Sequence, residues 1–260
     1  PDGKRRCIEA PVEELKDIQK IILKKLSLNL PKCVQGGMPG KSIRTNALQH
    51  KNNRYLLRMD IKNAYPSVTT KKVRALFKKW GASTEVAKIF AKILTFRGCL
   101  PQGAPTSLAI FNLLLKEIGL DFALSHIKGI RYTRYVDDLV LTSKKPIPEW
   151  IKKQTSIFLK EHDFSINERK TRCYSVKNRA LRITGVNVIY GKPKVPPKLI
   201  KKFRGMIHRA LSDDTISKEK VFGSIAFVIG IEKKIPNQLL KPLLRYLEVK
   251  NIKECPFVIY

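Results

Sequence analysis

Two adjacent carboxylates, Asp137 and Asp138, sit inside the stretch RYVDDLVL, between segments that alternate like β-strands. Residues 130–143 therefore read as a β-hairpin with both acids at its turn. Asp favours turns for local reasons, because its side chain bonds nearby backbone groups. Three features take the reading further. The flanking segments are apolar, so a core holds the turn. Acids are scarce, with 52 Lys and Arg against 21 Asp and Glu in 260 residues. A third acid, Asp60, lies near the end of another apolar segment, YLLRMDI. There Leu57, Met59 and Ile61 share one face of a strand, leaving Arg58 and Asp60 on the other. Carboxylates that converge repel each other unless a cation lies between them.

The formal net charge of +31 would be relieved by a polyanion, and nucleic acid fits better than an anionic membrane surface. No apolar run approaches the roughly 18 residues of a spanning helix, so no membrane partner is expected. The five cysteines are scattered, without a CxxC pair. They read as reduced thiols in a cytoplasmic protein rather than as a zinc site. No signal peptide is visible. The chain opens on Pro1, and the expectation is that its N-terminus is incomplete.

Along the chain, residues 4–8 read as the start of a strand and residues 11–30 as a helix, with Leu15, Ile18, Ile22, Leu26 and Leu30 in register. VQGGMPGKS, residues 34–42, is a Gly/Pro loop. Residues 73–94 read as helical with an interruption near Gly81. LPQGAPTS leads into one long helix over 106–126, entered through Pro105 and capped by Thr106 or Ser107. A helix over 150–162 and a strand over 181–189 follow. KPKVPP, residues 192–197, reads as a stiff linker. Beyond it lie helices over 198–211, 217–229 and 237–249. The first carries Lys198, Lys201, Lys202, His208 and Arg209 beside its apolar positions.

Oxygen ligands without His or Cys suit Mg²⁺. Two such ions about 4 Å apart would stabilise the attacking and leaving oxygens of a phosphoryl transfer. A basic surface for a polyanionic substrate, around an acidic spot for metal, describes a metal-dependent nucleotidyl transferase.

MDIKNAYPSV, LPQGAPTS and RYVDDLVL, in this order, resemble three core motifs of reverse transcriptases. The resemblance covers nearly the whole chain. It implies an α+β right-hand polymerase with fingers in 1–55, palm in 56–68, fingers and palm helices in 69–99, palm in 100–191 and a helical thumb in 192–260. It implies that Asp60 and Asp137 hold two Mg²⁺ ions (Mn²⁺ being possible), with Asp138 assisting and the Ile61 carbonyl completing a shell. Tyr65 stands at the family's steric-gate position, where an aromatic ring leaves no room for a 2′-hydroxyl. The alternative for Tyr65 is a core tyrosine before a proline. Gln102 and Gly103 would meet the incoming dNTP, Gly by close backbone approach. Lys170 in INERKTR resembles the lysine that protonates departing pyrophosphate, and Lys41 and Arg44 resemble triphosphate contacts of the fingers.

NALQH, Asn46 to His50, matches the NAxxH element of retron reverse transcriptases, and RITG, Arg182 to Gly185, resembles their VTG element with Ile in place of Val. FGSIAFVIGIEKKIP resembles a retron thumb. That resemblance assigns Asn46 and His50 to nucleic-acid binding, although His50 alone also reads as a structural histidine. Lys198, Lys201, Lys202 and Arg209 read from their charge as a face that tracks duplex phosphates, the alternative being a solvated helix face. The retron resemblance implies a bacterial enzyme that binds its own structured noncoding RNA. Such an enzyme primes from a guanosine 2′-hydroxyl and makes short single-stranded DNA through a branched RNA–DNA product. The resemblance implies a setting in antiphage defence, usually beside a separate effector protein. Other defence-associated or group II intron-like reverse transcriptases stay open, as does a non-catalytic RNA-binding protein of the same fold. Tyr65 and Val136 argue against a viral RNA-dependent RNA polymerase.

Overall fold

The computed structural model describes residues 8–26, 28–176, 180–252 and 255–257. In chain order its elements are α1 (Glu13–Lys25), α2 (Ile43–Leu48), β1 (Tyr55–Asp60), α3 (Thr70–Lys79), α4 (Thr84–Leu94), α5 (Ser107–Glu117), α6 (Leu120–Ser125), β2 (Arg131–Tyr135), β3 (Asp138–Ser143), α7 (Glu149–Glu161), β4 (Arg172–Ser175), β5 (Leu181–Ile183), β6 (Val186–Ile189), β7 (Lys192–Lys194), α8 (Pro197–Arg209), α9 (Lys218–Glu232) and α10 (Asn237–Val249). They fall into two compact units. One comprises Pro1–Lys41 with Asn53–Ser175, the other Ser42–Asn52 with Val176–Tyr260. Ser42–Asn52, grouped by the sequence reading with residues 1–55, packs with the C-terminal elements.

The first unit is built on an antiparallel sheet of order β2-β3-β1-β4. Its centre is apolar for a simple reason. Leu57 lies opposite Leu141 and Met59 opposite Leu139, and these four side chains enter one core with Phe111, Leu113 and Phe164. α5 is buried on nearly every side, from Ala109 to Leu115, as expected of a helix apolar all round. The expected interruption near Gly81 separates α3 from α4, with Gly81 at φ +88°. The expected long helix over 106–126 is two helices, because Gly119 at φ +85° turns left-handed between α5 and α6. β4 was not anticipated, since RCYS shows little apolar alternation and lies on an edge. α1 ends at Lys25 rather than continuing to Leu30. Leu26, Leu28 and Leu30 still reach the core, but from irregular chain, and their spacing by two mimicked a longer helix at Leu26 and Leu30. Most of the strand expected at 4–8 lies outside the described residues.

In the second unit β5, β6 and β7 form an antiparallel meander. The single strand expected over 181–189 is a hairpin. Thr184 and Gly185 have φ of +47° and +83°, and positive φ at both central residues is what a two-residue hairpin turn needs. Tyr190 and Gly191 repeat the device, so the first half of the expected linker KPKVPP is strand β7. Glu232 of α9 clamps this end of the meander: it accepts from Lys194 Nζ at 2.7 Å and from the Val195 amide at 2.9 Å.

The open space around Gly119 makes its backbone the whole issue. Gly119→Ala should lower the stability of the protein by about 1–2 kcal/mol, the cost of a left-handed alanine. The measurement is the urea midpoint, and an unchanged midpoint would show that the break survives without glycine.

Candidate active site

The strand register builds the site. Asp60, the last residue of β1, pairs directly with Asp138, the first residue of β3. Opposite residues of an antiparallel pair have Cβ atoms about 4.5–5.5 Å apart. The Ile61 amide donates to the Asp137 carbonyl at 2.9 Å, which carries the pairing one step beyond the strand. The hairpin turn is narrower than the sequence suggested. Tyr135 pairs with Asp138, so the turn residues are Val136 and Asp137 alone. Val136 sits at φ +60°, a strained conformation for a β-branched residue.

Two cations face these acids. Lys170 Nζ lies 3.1 and 3.2 Å from the two oxygens of Asp60. Arg58 Nε lies 2.6 Å from Asp138 Oδ1. Lys170 is brought there by backbone stitching: the Lys62 amide donates to Ser165 and the Asn167 amide to Asp60, at 2.8 and 2.7 Å. Arg58 was overlooked as a site residue, although its place two residues before Asp60 puts it on the same strand face. Burial pushes the Asp138 carboxyl up to about 6 against the lowering by Arg58, with the Asp137 and Asp60 charges adding to the rise. Burial, then the Asp137 charge, raises the Tyr65 phenol. Its ring stands edge-on to Phe111 with centroids 6.0 Å apart.

Asp60, Ile61, Tyr65, Asp137, Asp138 and Lys170 are thus gathered around one sheet end. Among the described residues, no three His, Cys, Asp or Glu side chains are already arranged to hold a metal ion. Asp60 and Asp138 are instead paired with Lys170 and Arg58. The donors themselves, carboxylates and a carbonyl, fit a hard divalent cation.

The remaining expected residues lie as follows. The Gln102 carbonyl accepts from the Glu9 amide at 2.8 Å, and a Cβ on Gly103 would come within 2.9 Å of Ile8. The N-terminal segment therefore covers the loop that was read as approaching a nucleotide. The expected helix cap is absent: Thr106 makes no side-chain cap bond, and Ser107 Oγ donates to the Pro101 carbonyl instead, at 2.7 Å. Lys41 is exposed. Arg44 belongs to the second unit, where its Nε donates to the Ile231 carbonyl at 3.0 Å. On α8, Lys198, Lys201, Lys202 and Arg209 are exposed, and Lys201, Arg204 and His208 line one groove with Lys241 and Arg245 of α10.

A sequence profile described as reverse transcriptase (RNA-dependent DNA polymerase) matches residues 1–188. The chain belongs to the reverse transcriptase family. It is similar to the Retron Ec86 reverse transcriptase of Escherichia coli, 28% identical over 247 residues, which cover 92% of this chain and 76% of that protein. The Retron Mx65 reverse transcriptase of Myxococcus xanthus is 31% identical over 254 residues, covering 87% of this chain and 58% of its own. These relatives make the chain a reverse transcriptase of bacterial retron type, and it spans about three quarters of the first and somewhat over half of the second. Among solved structures, apo telomerase from Candida tropicalis shares the fold, with TM-score 0.51, 11% identity and coverage of 93% of this chain and 55% of that one. The α+β right-hand polymerase fold read from the sequence holds.

Two of the retron-type elements touch each other. Asn46 Nδ2 donates to Thr184 Oγ1 at 2.6 Å, which joins NALQH to RITG across 138 residues of chain. Asn46 and His50 are both 0% exposed, so neither side chain presents a surface to nucleic acid. The reading of both as nucleic-acid contacts is corrected on that ground: they lie inside the second unit, and Asn46 pins the β5–β6 turn.

Asp138 supplies a pH test. Its folded-state value of about 6 lies above the ordinary one near 3.9. Its contribution to stability is therefore full below the unfolded value and is lost as pH rises through about 6. In EDTA, Asp138→Asn should gain about 1 kcal/mol over the parent protein between pH 5 and pH 7. Urea unfolding at both pH values reads this directly, and a constant difference would mean that the buried acid does not titrate there.

Proposed function

We propose that this protein is the RNA-directed DNA polymerase of a bacterial retron, copying a structured noncoding RNA into short single-stranded DNA. The observation that carries the reading is the pairing of Asp60 with Asp138, with Asp137 in the adjoining turn. A chain of net charge +31 has little reason to bury acids together unless a divalent cation uses them.

In this reading Asp60 and Asp137 would hold two Mg²⁺ ions, with Mn²⁺ as a substitute, and the Ile61 carbonyl would add an oxygen. The ions supply charge stabilisation to the attacking hydroxyl and the departing pyrophosphate. The protein's groups do the rest. Asp138, paired with Arg58, would assist by adding negative charge to the site. Lys170, which lies against Asp60, would be placed to give a proton to the leaving group. Tyr65, braced by Phe111, would exclude the ribose 2′-hydroxyl. Gln102 and Gly103 could position the dNTP only with residues 8–9 moved off their loop.

The RNA template and the RNA–DNA product lie along the cationic face of α8. The groove that adds Lys241 and Arg245 of α10 supports this, because phosphate contacts are largely Lys and Arg. Residues 192–260 would then be the thumb, with residues 56–68 and 100–191 in the palm. The same reading includes a role in antiphage defence beside a separate effector, in the bacterial cytoplasm. No described helix is long and apolar enough to cross a membrane.

Two experiments bear on this. Asp137→Ala with Asp138→Ala should abolish dNTP incorporation while RNA binding by gel shift stays within a few-fold of the parent; continued synthesis by the double variant would remove the metal site. Nucleic acid that copurifies with the protein from its native locus should contain short DNA joined to RNA through a 2′–5′ branch. Linear cDNA alone would favour a defence-associated or group II intron-like reverse transcriptase.

A further inference from the structure

Arg134, the fourth residue of β2, is 0% exposed. It is a charge with no water to solvate it, and the fold surrounds it with acceptors. Its Nε and Nη2 reach the two oxygens of Asp121 on α6, at 2.9 and 2.7 Å. Nη1 donates to Asn112 Oδ1 on α5 at 2.6 Å and to the Val136 carbonyl at 3.2 Å. Both partners are themselves held. Tyr132 OH donates to Asp121 at 3.0 Å, and Asn112 Nδ2 donates to the Gly36 carbonyl at 3.0 Å. The Arg134 backbone ties in the same loop, donating to Cys33 and accepting from Gln35.

A buried ion pair alone would say little, because apolar residues of similar volume often stabilise a core as well or better. The bond to Val136 is what a purely structural pair does not require. Val136 is the strained residue at φ +60°, and its carbonyl belongs to the peptide that leads into Asp137. Gly36 closes on the same turn from another side, so tightly that a Cβ there would lie 2.5 Å from the Val136 nitrogen. The turn is thus gripped at its carbonyl by a guanidinium whose own orientation is fixed by α5 and α6.

We propose that Arg134 is a positioning residue of the polymerase reaction: its guanidinium holds the Val136 carbonyl and so sets the direction in which Asp137 offers its carboxylate to the metal. The inference rests on the reading of Asp137 as a metal ligand. It predicts that charge alone is insufficient. A lysine ammonium is a point charge and cannot span Asp121, Asn112 and Val136 at once.

The test uses Arg134→Lys, with Tyr132→Phe as a control that loosens the same buried network without touching the turn. The readouts are the melting temperature in EDTA, the Mg²⁺ concentration for half-maximal dNTP incorporation, and Mn²⁺ affinity by electron paramagnetic resonance without nucleotide. Arg134→Lys should raise the half-saturating metal concentration and weaken Mn²⁺ binding by about 10–100-fold, the usual effect of removing the support of a ligand. Tyr132→Phe should lower the melting temperature and leave both metal curves in place. If Arg134→Lys does not fold, Asn112→Ala keeps the ion pair and should shift the metal curves in the same direction by less. Metal curves unchanged in the folded variants, or shifted equally by Tyr132→Phe, overturn the inference. Asp137→Ala separates the two readings. An inactive Asp137→Ala beside a normal Arg134→Lys removes the positioning role alone, whereas an active Asp137→Ala removes the metal site on which it rests.

Discussion

The structure depends on a repulsion. Asp60 and Asp138 are placed opposite each other by six consecutive pairs between β1 and β3, and both are almost fully buried. The apolar pairs Leu57 with Leu141 and Met59 with Leu139 lock that register, and a slip by one residue would turn the core face outward. The acids therefore cannot move apart without undoing the sheet. Side-chain cations relieve the tension: Lys170 serves Asp60 and Arg58 serves Asp138. A divalent ion would enter a site whose negative charge is already partly balanced. In the proposed reading, loading of the site would exchange counter-charges rather than fill a gap.

The sequence was most legible where side-chain period and core coincide. Leu57, Met59 and Ile61 shared a face as their spacing required, and Asp60 fell on the other beside Arg58. The order of the three motifs was enough to specify the fold. The hairpin at 130–143 was also visible, but not the residue that makes its turn, since nothing in YVDD announces a valine at positive φ. The failures were of two physical kinds. Gly119 and the Thr184–Gly185 pair broke elements whose apolar spacing runs on through them, so periodicity overrode backbone freedom. Asn46 and His50 were misplaced because a polar motif looks the same in sequence whether it faces solvent or fills a buried niche. Their burial shows which, and for Asn46 so does the contact with Thr184 far along the chain.

The same limit applies to Arg58 and Arg134. In a chain with 52 Lys and Arg, no pattern separates an arginine that solvates the surface from one that is buried to the last atom. Arg134 precedes the motif tyrosine and could have been suspected from that place, yet its partners Asp121 and Asn112 come from two helices that the sequence presented as one. The break at Gly119 and the burial of Arg134 belong together, because α6 brings Asp121 to the guanidinium just after that break.

The contact between Asn46 and Thr184 bears on how the chain is made. α2 has six residues, far below the length at which a helix persists unaided. Its partners in the meander leave the ribosome well over a hundred residues later. At ordinary translation rates that is a wait on the order of ten seconds. Until then the NALQH segment lacks the Thr184 partner it has in the folded protein. Completion of the second unit thereby waits on the β5–β6 turn, and a ribosome stalled before the meander leaves Asn46 without the hydroxyl that receives it.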